Sequence, residues 1–79
     1  MVNAYDEILD FVTSGPSLQA IVDFRHSQTT LERVAYLMQR QIIEVITESE
    51  REELREFQKA DYFIEQLKIR ARRRLGLPT

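Results

Sequence analysis

At 79 residues and without cysteine, the chain is expected to form one domain with neither a disulfide nor a thiolate metal site. With 43% hydrophobic and 30% charged residues it is too apolar to be disordered along its length, and a net charge of −2 argues against a dedicated DNA-binding domain. No apolar run approaches the roughly 18 residues of a membrane span, and Met1-Val2-Asn3-Ala4-Tyr5-Asp6 lacks the basic, then apolar character of a signal segment, so the cytoplasm is the expected compartment.

Asn3 is placed to cap a first helix over residues 4–13. Tyr5, Ile8, Leu9 and Val12 form its expected apolar stripe, with Phe11 at the flank, and Ser14-Gly15-Pro16 stops it, Gly15 serving as C-cap. Ser17 suits the cap of a short second helix over 18–24, with Leu18, Ile21, Val22 and Phe24 as its apolar positions. Two turns are marginal alone, so this piece must be held by packing. Arg25-His26-Ser27 reads as a polar connector.

A third helix is predicted over 29–41, capped by Ser27 or by Thr29, which makes a capping box with Glu32. Leu31, Val34, Ala35 and Met38 line its expected buried face, with Leu37 alongside. Gln41 to Ile46 is β-branched and apolar without Gly or Pro. A continued helix, a short connector and a small strand all remain open there. The connector is favoured, with Ile43 or Ile46 plugging the core.

Thr47 and Glu50 form a reciprocal capping box that opens a long helix over 48–75. Gly76 and Pro78 close it. Phe57, Ala60, Ile64, Leu67, Ala71 and Leu75 share one side, with Leu54 at the start and Phe63 at the edge. Tyr62 and Ile69 make a second, weaker strip nearly opposite. Charge is sorted along the helix, with Glu48, Glu50, Glu52, Glu53 and Glu56 leading and Lys68, Arg70, Arg72, Arg73 and Arg74 finishing. That order complements the helix dipole. It also sets Arg70 against Arg74 and Lys68 against Arg72 at i,i+4, a repulsion that an acidic helix or a phosphate backbone nearby would relieve.

Chemistry-bearing constellations are sparse. His26 is the only histidine; with Asp23 it supplies too few groups for a closed metal site or a catalytic set, and it is expected to face solvent. Glu52, Glu53 and Glu56 lack the histidine of a helical di-metal pattern and read as a solvated face. No G-x-S-x-G, phosphate loop or dinucleotide fingerprint occurs. No enzyme activity, metal or cofactor is expected. The expected fold is an all-α small helical bundle: an antiparallel hairpin of helices 3 and 4 with helices 1 and 2 folded across one side.

Several stretches together carry a resemblance: Tyr5-Asp6-Glu7-Ile8-Leu9-Asp10-Phe11, Ser14-Gly15-Pro16, Ile21 through Phe24-Arg25 with Ser27, Glu53-Leu54, and Phe63 with Leu67-Lys68 and Arg70-Ala71-Arg72. The chain resembles, over nearly its whole length, a group of short all-helical bacterial proteins, chiefly cyanobacterial and of unknown function. The resemblance implies an antitoxin-like role or partnership beside an HNH-type nuclease, and it transfers no functional residue. The chain departs from the group's pattern where His26 replaces a common Pro and where Ile42 to Ile46 replaces a polar, Gly-containing turn.

The functional expectation is a protein–protein interaction module, self-associating and binding a protein partner. Tyr62, Phe63 and Ile69 with Lys68, Arg70, Arg72, Arg73 and Arg74 are the candidate contact residues. In an antiparallel dimer of helix 4, each basic end would lie over the other copy's acidic start. The alternative is an accessory nucleic-acid-binding protein using the basic helix end. Against it, aromatic residues are poorly interleaved and no glycine turn precedes a basic recognition helix.

Overall fold

The longest element fixes the rest. The structure, a computed structural model, describes residues 4–78. Its helices are α1 (Ala4–Thr13), α2 (Leu18–Val22), α3 (Gln28–Ile42) and α4 (Glu48–Leu75). α4 runs unbroken for 28 residues, a length of about 42 Å at the usual helical rise. The other three helices pack onto it in an all-α bundle measuring 44 × 25 × 17 Å.

Both ends of α4 form as local chemistry dictates. Thr47 accepts from the Glu50 amide while the Glu50 carboxylate accepts from the Thr47 amide, completing the capping box. At the far end Gly76 takes a left-handed φ of 73°, and the Leu77 and Gly76 amides donate to the Arg72 and Arg73 carbonyls, a Schellman closure. Gly15, after α1, has the same left-handed turn at φ 72°. The Asn3 cap lies outside the described residues.

α3 starts two residues earlier than the Thr29 box predicts, on the alternative cap. Ser27 is its cap, accepting from the Thr30 amide, while Glu32 instead accepts from Gln28. α2 stops at Val22 rather than Phe24, because the Asp23 amide already caps it and Phe24 turns away to stack against Phe11 at 4.7 Å.

Of the segment 41–46, Gln41 and Ile42 complete α3 and the remainder is a connector rather than a strand. α3 runs through Ile42, then the Val45 amide donates to the Arg40 carbonyl and the Glu44 amide to the Gln41 carbonyl. This is the same closure as at Gly76, with Glu44 at φ 61° where glycine is usual. Of the two expected plugs, Ile46 packs against the core and Ile43 is exposed.

The core has two clusters joined by Phe57. One holds Ala4, Ile8, Ala60 and Ile64, with Tyr5, Phe24 and Leu67 against it; the other holds Val34, Leu37 and Leu54 with Ile46. Three expected faces are corrected. α1 turns Ala4 and Ile8 inward, leaving Leu9 and Val12 exposed. α3 buries Thr30, Val34 and Leu37, one helical row round from the predicted face, so that Ala35 and Met38 face solvent and Leu31 is half-buried. Leu75, at the end of the α4 stripe, is exposed.

The α3 rotation is accompanied by a polar contact. The Glu7 carboxylate accepts from the Ser27 amide at 2.8 Å, from the Ser27 hydroxyl at 3.0 Å and from the Thr30 hydroxyl. Thr30 is thereby buried with its hydroxyl satisfied, and the turn that carries it faces inward.

Candidate interaction surfaces

Two ion pairs tie α3 to α4. Arg33 of α3 grips Glu53 of α4 through two nitrogens, at 2.8 and 2.9 Å, and Arg40 meets Glu50 at 2.8 Å while also donating to the Val45 carbonyl. Both guanidiniums flank the Tyr36 ring, 5.2 and 5.4 Å from its centroid. Glu53, expected as part of a solvated acidic face, is therefore a structural anchor.

These bonds set the carboxyl acidities. The Glu53 carboxyl is held below its ordinary value chiefly by the Arg33 hydrogen bond, and Glu50 by the Thr47 amide and then by Arg40. Burial pushes Glu7 upward, but the bonds from Thr30 and Ser27 outweigh it, and the net shift is downward. A depressed carboxyl contributes stability above its unfolded value that is lost as pH falls through its folded value. The midpoint of urea unfolding is therefore expected to be flat near neutrality and to fall once pH drops below the ordinary glutamate value of 4.5. Glu7→Gln should be less stable at pH 7 and lose less on acidification. An acid decline identical to that of the parent chain would contradict this assignment.

His26 does not face solvent as expected. Its ring lies between Phe24, centroid distance 5.2 Å, and Phe57, at 5.3 Å, and both ring nitrogens are buried without a hydrogen-bond partner. No group of three metal-ligating side chains occurs among the described residues.

The α4 candidates divide. Tyr62 is 67% exposed and Phe63 43%, and with Tyr5, Lys59 and Gln66 they line an open recess of about 560 Å³. Ile69 is half-buried, so the second apolar strip is carried mainly by Tyr62. Lys68 is largely covered, 3.9 Å from Glu65, and Arg70 donates to Gln66. Arg72 is half-buried, whereas Arg73 and Arg74 are exposed, and no carboxylate of the described residues lies within ion-pair distance of Arg72, Arg73 or Arg74. At the other end of α4, Glu48 and Glu52 share Arg55, and Glu56 pairs with Lys59.

A second exposed apolar stripe lies on α3, along residues expected from the sequence to be buried. Leu31, Ala35, Met38 and Ile42 follow the alternating four- and three-residue spacing of a helix-pairing seam. Met38 is 50% exposed and Ile42 73%, and Ile43 and Val45 extend the patch around the corner. The signal was present in the spacing, but with Val34 beside it the row reads as the buried face, whereas Val34 belongs to the core row with Thr30 and Leu37. No helix of the described residues is long and apolar enough to cross a membrane.

Comparison of the chain with family models, with curated proteins and with solved structures finds no match.

Proposed function

We propose that the chain is a protein-interaction module that self-associates and binds a protein partner. One observation carries the reading: both long helices present apolar side chains to solvent, Met38 and Ile42 on α3 and Tyr62 and Phe63 on α4. Scattered exposed apolar residues are ordinary; contiguous ones at pairing spacing mark contact surfaces. A small core also favours added burial between chains. A nuclease is the partner class that the sequence resemblance adds. The primary test is mass in solution from low to high micromolar concentration. A concentration-dependent rise toward twice the monomer mass is expected, and a strict monomer throughout removes the self-association.

A second reading, accessory nucleic-acid binding, is supported by Arg72, Arg73 and Arg74 at the end of α4, which have no ion-pair partner among the described residues. It requires affinity for DNA or RNA that falls with salt. Replacing the three arginines by alanine should reduce the log–log salt slope by about one per lost phosphate contact. Binding without salt dependence, or unchanged in the alanine variant, eliminates this reading.

A further inference from the structure

We infer that the self-association proposed above runs through the outer stripe of α3, with two copies of the chain pairing antiparallel about a two-fold axis between Ala35 and Met38. This rests on the self-association reading and specifies its face, orientation and register.

The stripe is apolar and almost uncharged. Leu31, Ala35, Met38 and Ile42 form its centre, with Gln28, Glu32 and Gln39 along one border. The exposed side of α4 offers no comparable seam, since Glu48, Arg55 and Lys59 interrupt it with charge. α3 packs only one of its rows on α4, and its apolar arc is wider than α4 covers.

Orientation follows from side-chain volume. In an antiparallel pair Ala35 lies opposite Met38 and Leu31 opposite Ile42, so the small side chain is always filled by a long, adaptable one. A parallel pair would set Ala35 against Ala35 and leave a void at the seam. Antiparallel pairing also brings Glu32 opposite Gln39 rather than another carboxylate.

Charge complementarity points the same way. Arg25 precedes α3, is exposed, and has no ion-pair or hydrogen-bond partner among the described residues. Glu44 follows α3, is exposed, and its carboxylate is likewise unpartnered. An antiparallel pair brings each Glu44 to the other copy's Arg25, twice by symmetry. A parallel pair places like charges together at both ends. Glu44 occupies a left-handed position at φ 61°, which places it at the corner where α3 ends.

The test uses the full chain, which has no cysteine of its own. Met38→Glu and Ile42→Glu each place a carboxylate in the seam while leaving the monomer core untouched, and circular dichroism should show unchanged helix. Sedimentation equilibrium should show dimer dissociation weakened on the order of a hundredfold or more. Glu44→Arg should weaken it several-fold, and adding Arg25→Glu should restore it. When Ala35→Cys chains are mixed with Met38→Cys chains and oxidised, disulfides should join unlike variants in preference to like ones. A parent chain that is monomeric at every concentration overturns both the seam and the self-association reading. A dimer that persists in both glutamate variants overturns the seam alone and moves self-association to another face. A predominance of disulfides between like variants overturns the antiparallel orientation.

Discussion

Truncating Ile64 to alanine is expected to remove about 2–5 kcal/mol of stability, the range for deleting a large aliphatic group from a core that cannot collapse. Ile64 is 1% exposed and sits mid-helix on the unbroken α4, among Ala4, Ile8 and Ala60. Two of those three buried neighbours are alanines, and the larger side chains around them, Tyr5, Phe24, Phe57 and Leu67, are already engaged in packing the cluster. A chain of this size holds only about 4–12 kcal/mol in total, so the loss takes a large part of it. Thermal unfolding should move down by at least about 10 °C. Tyr62→Ala, on the solvent side of the same helix, serves as the control and should change stability by no more than about 0.5 kcal/mol in the monomer. Equal losses in the two variants would mean that α4 buries a different face.

The second large effect has the opposite sign. His26→Phe is expected to stabilise the chain by about 1–3 kcal/mol. The imidazole carries two polar nitrogens into a site between Phe24 and Phe57 where neither is hydrogen-bonded. In the unfolded chain both are hydrated, so folding costs their desolvation with no bond in return. A phenyl ring keeps the aromatic contacts and removes that cost. His26→Leu removes it as well, with less ring packing, and should gain less. Urea denaturation at pH 7 decides the matter; a loss of stability in both variants would show that the imidazole is bonded in solution.

These two residues also mark what the sequence makes legible. Ile64 lies on a stripe readable from spacing alone, and the α4 boundaries follow from the Thr47–Glu50 box and Gly76, each a contact within a few residues. Local chemistry of that kind is written in the sequence. His26 is buried by Phe24 and Phe57, the latter a distant residue in the chain, and no local signal announces it. The facing of α3 fails for the same reason. The expected face and the buried one share Val34, and the buried one is the row that also brings Thr30 to Glu7, a contact that spans 23 positions. The corner at 43–46 was hidden because a glutamate fills a glycine position. Among the candidate contacts, Tyr62, Phe63, Arg73 and Arg74 are on the surface as their positions suggest, while Lys68 and Ile69 are largely or partly covered by neighbours that spacing on one helix does not reveal.

Glu50 belongs to two helices at once: its carboxylate closes the cap of α4 and receives Arg40 of α3, whose other nitrogen ties down Val45. Neither helix end can therefore fray without loosening the other. The hairpin is assembled from partners near in sequence, which makes it the natural seed on which residues 4–26 later settle. In amide exchange, the Val45 and Glu50 protons should thus open in a single shared event, outlasting those of α1 and α2.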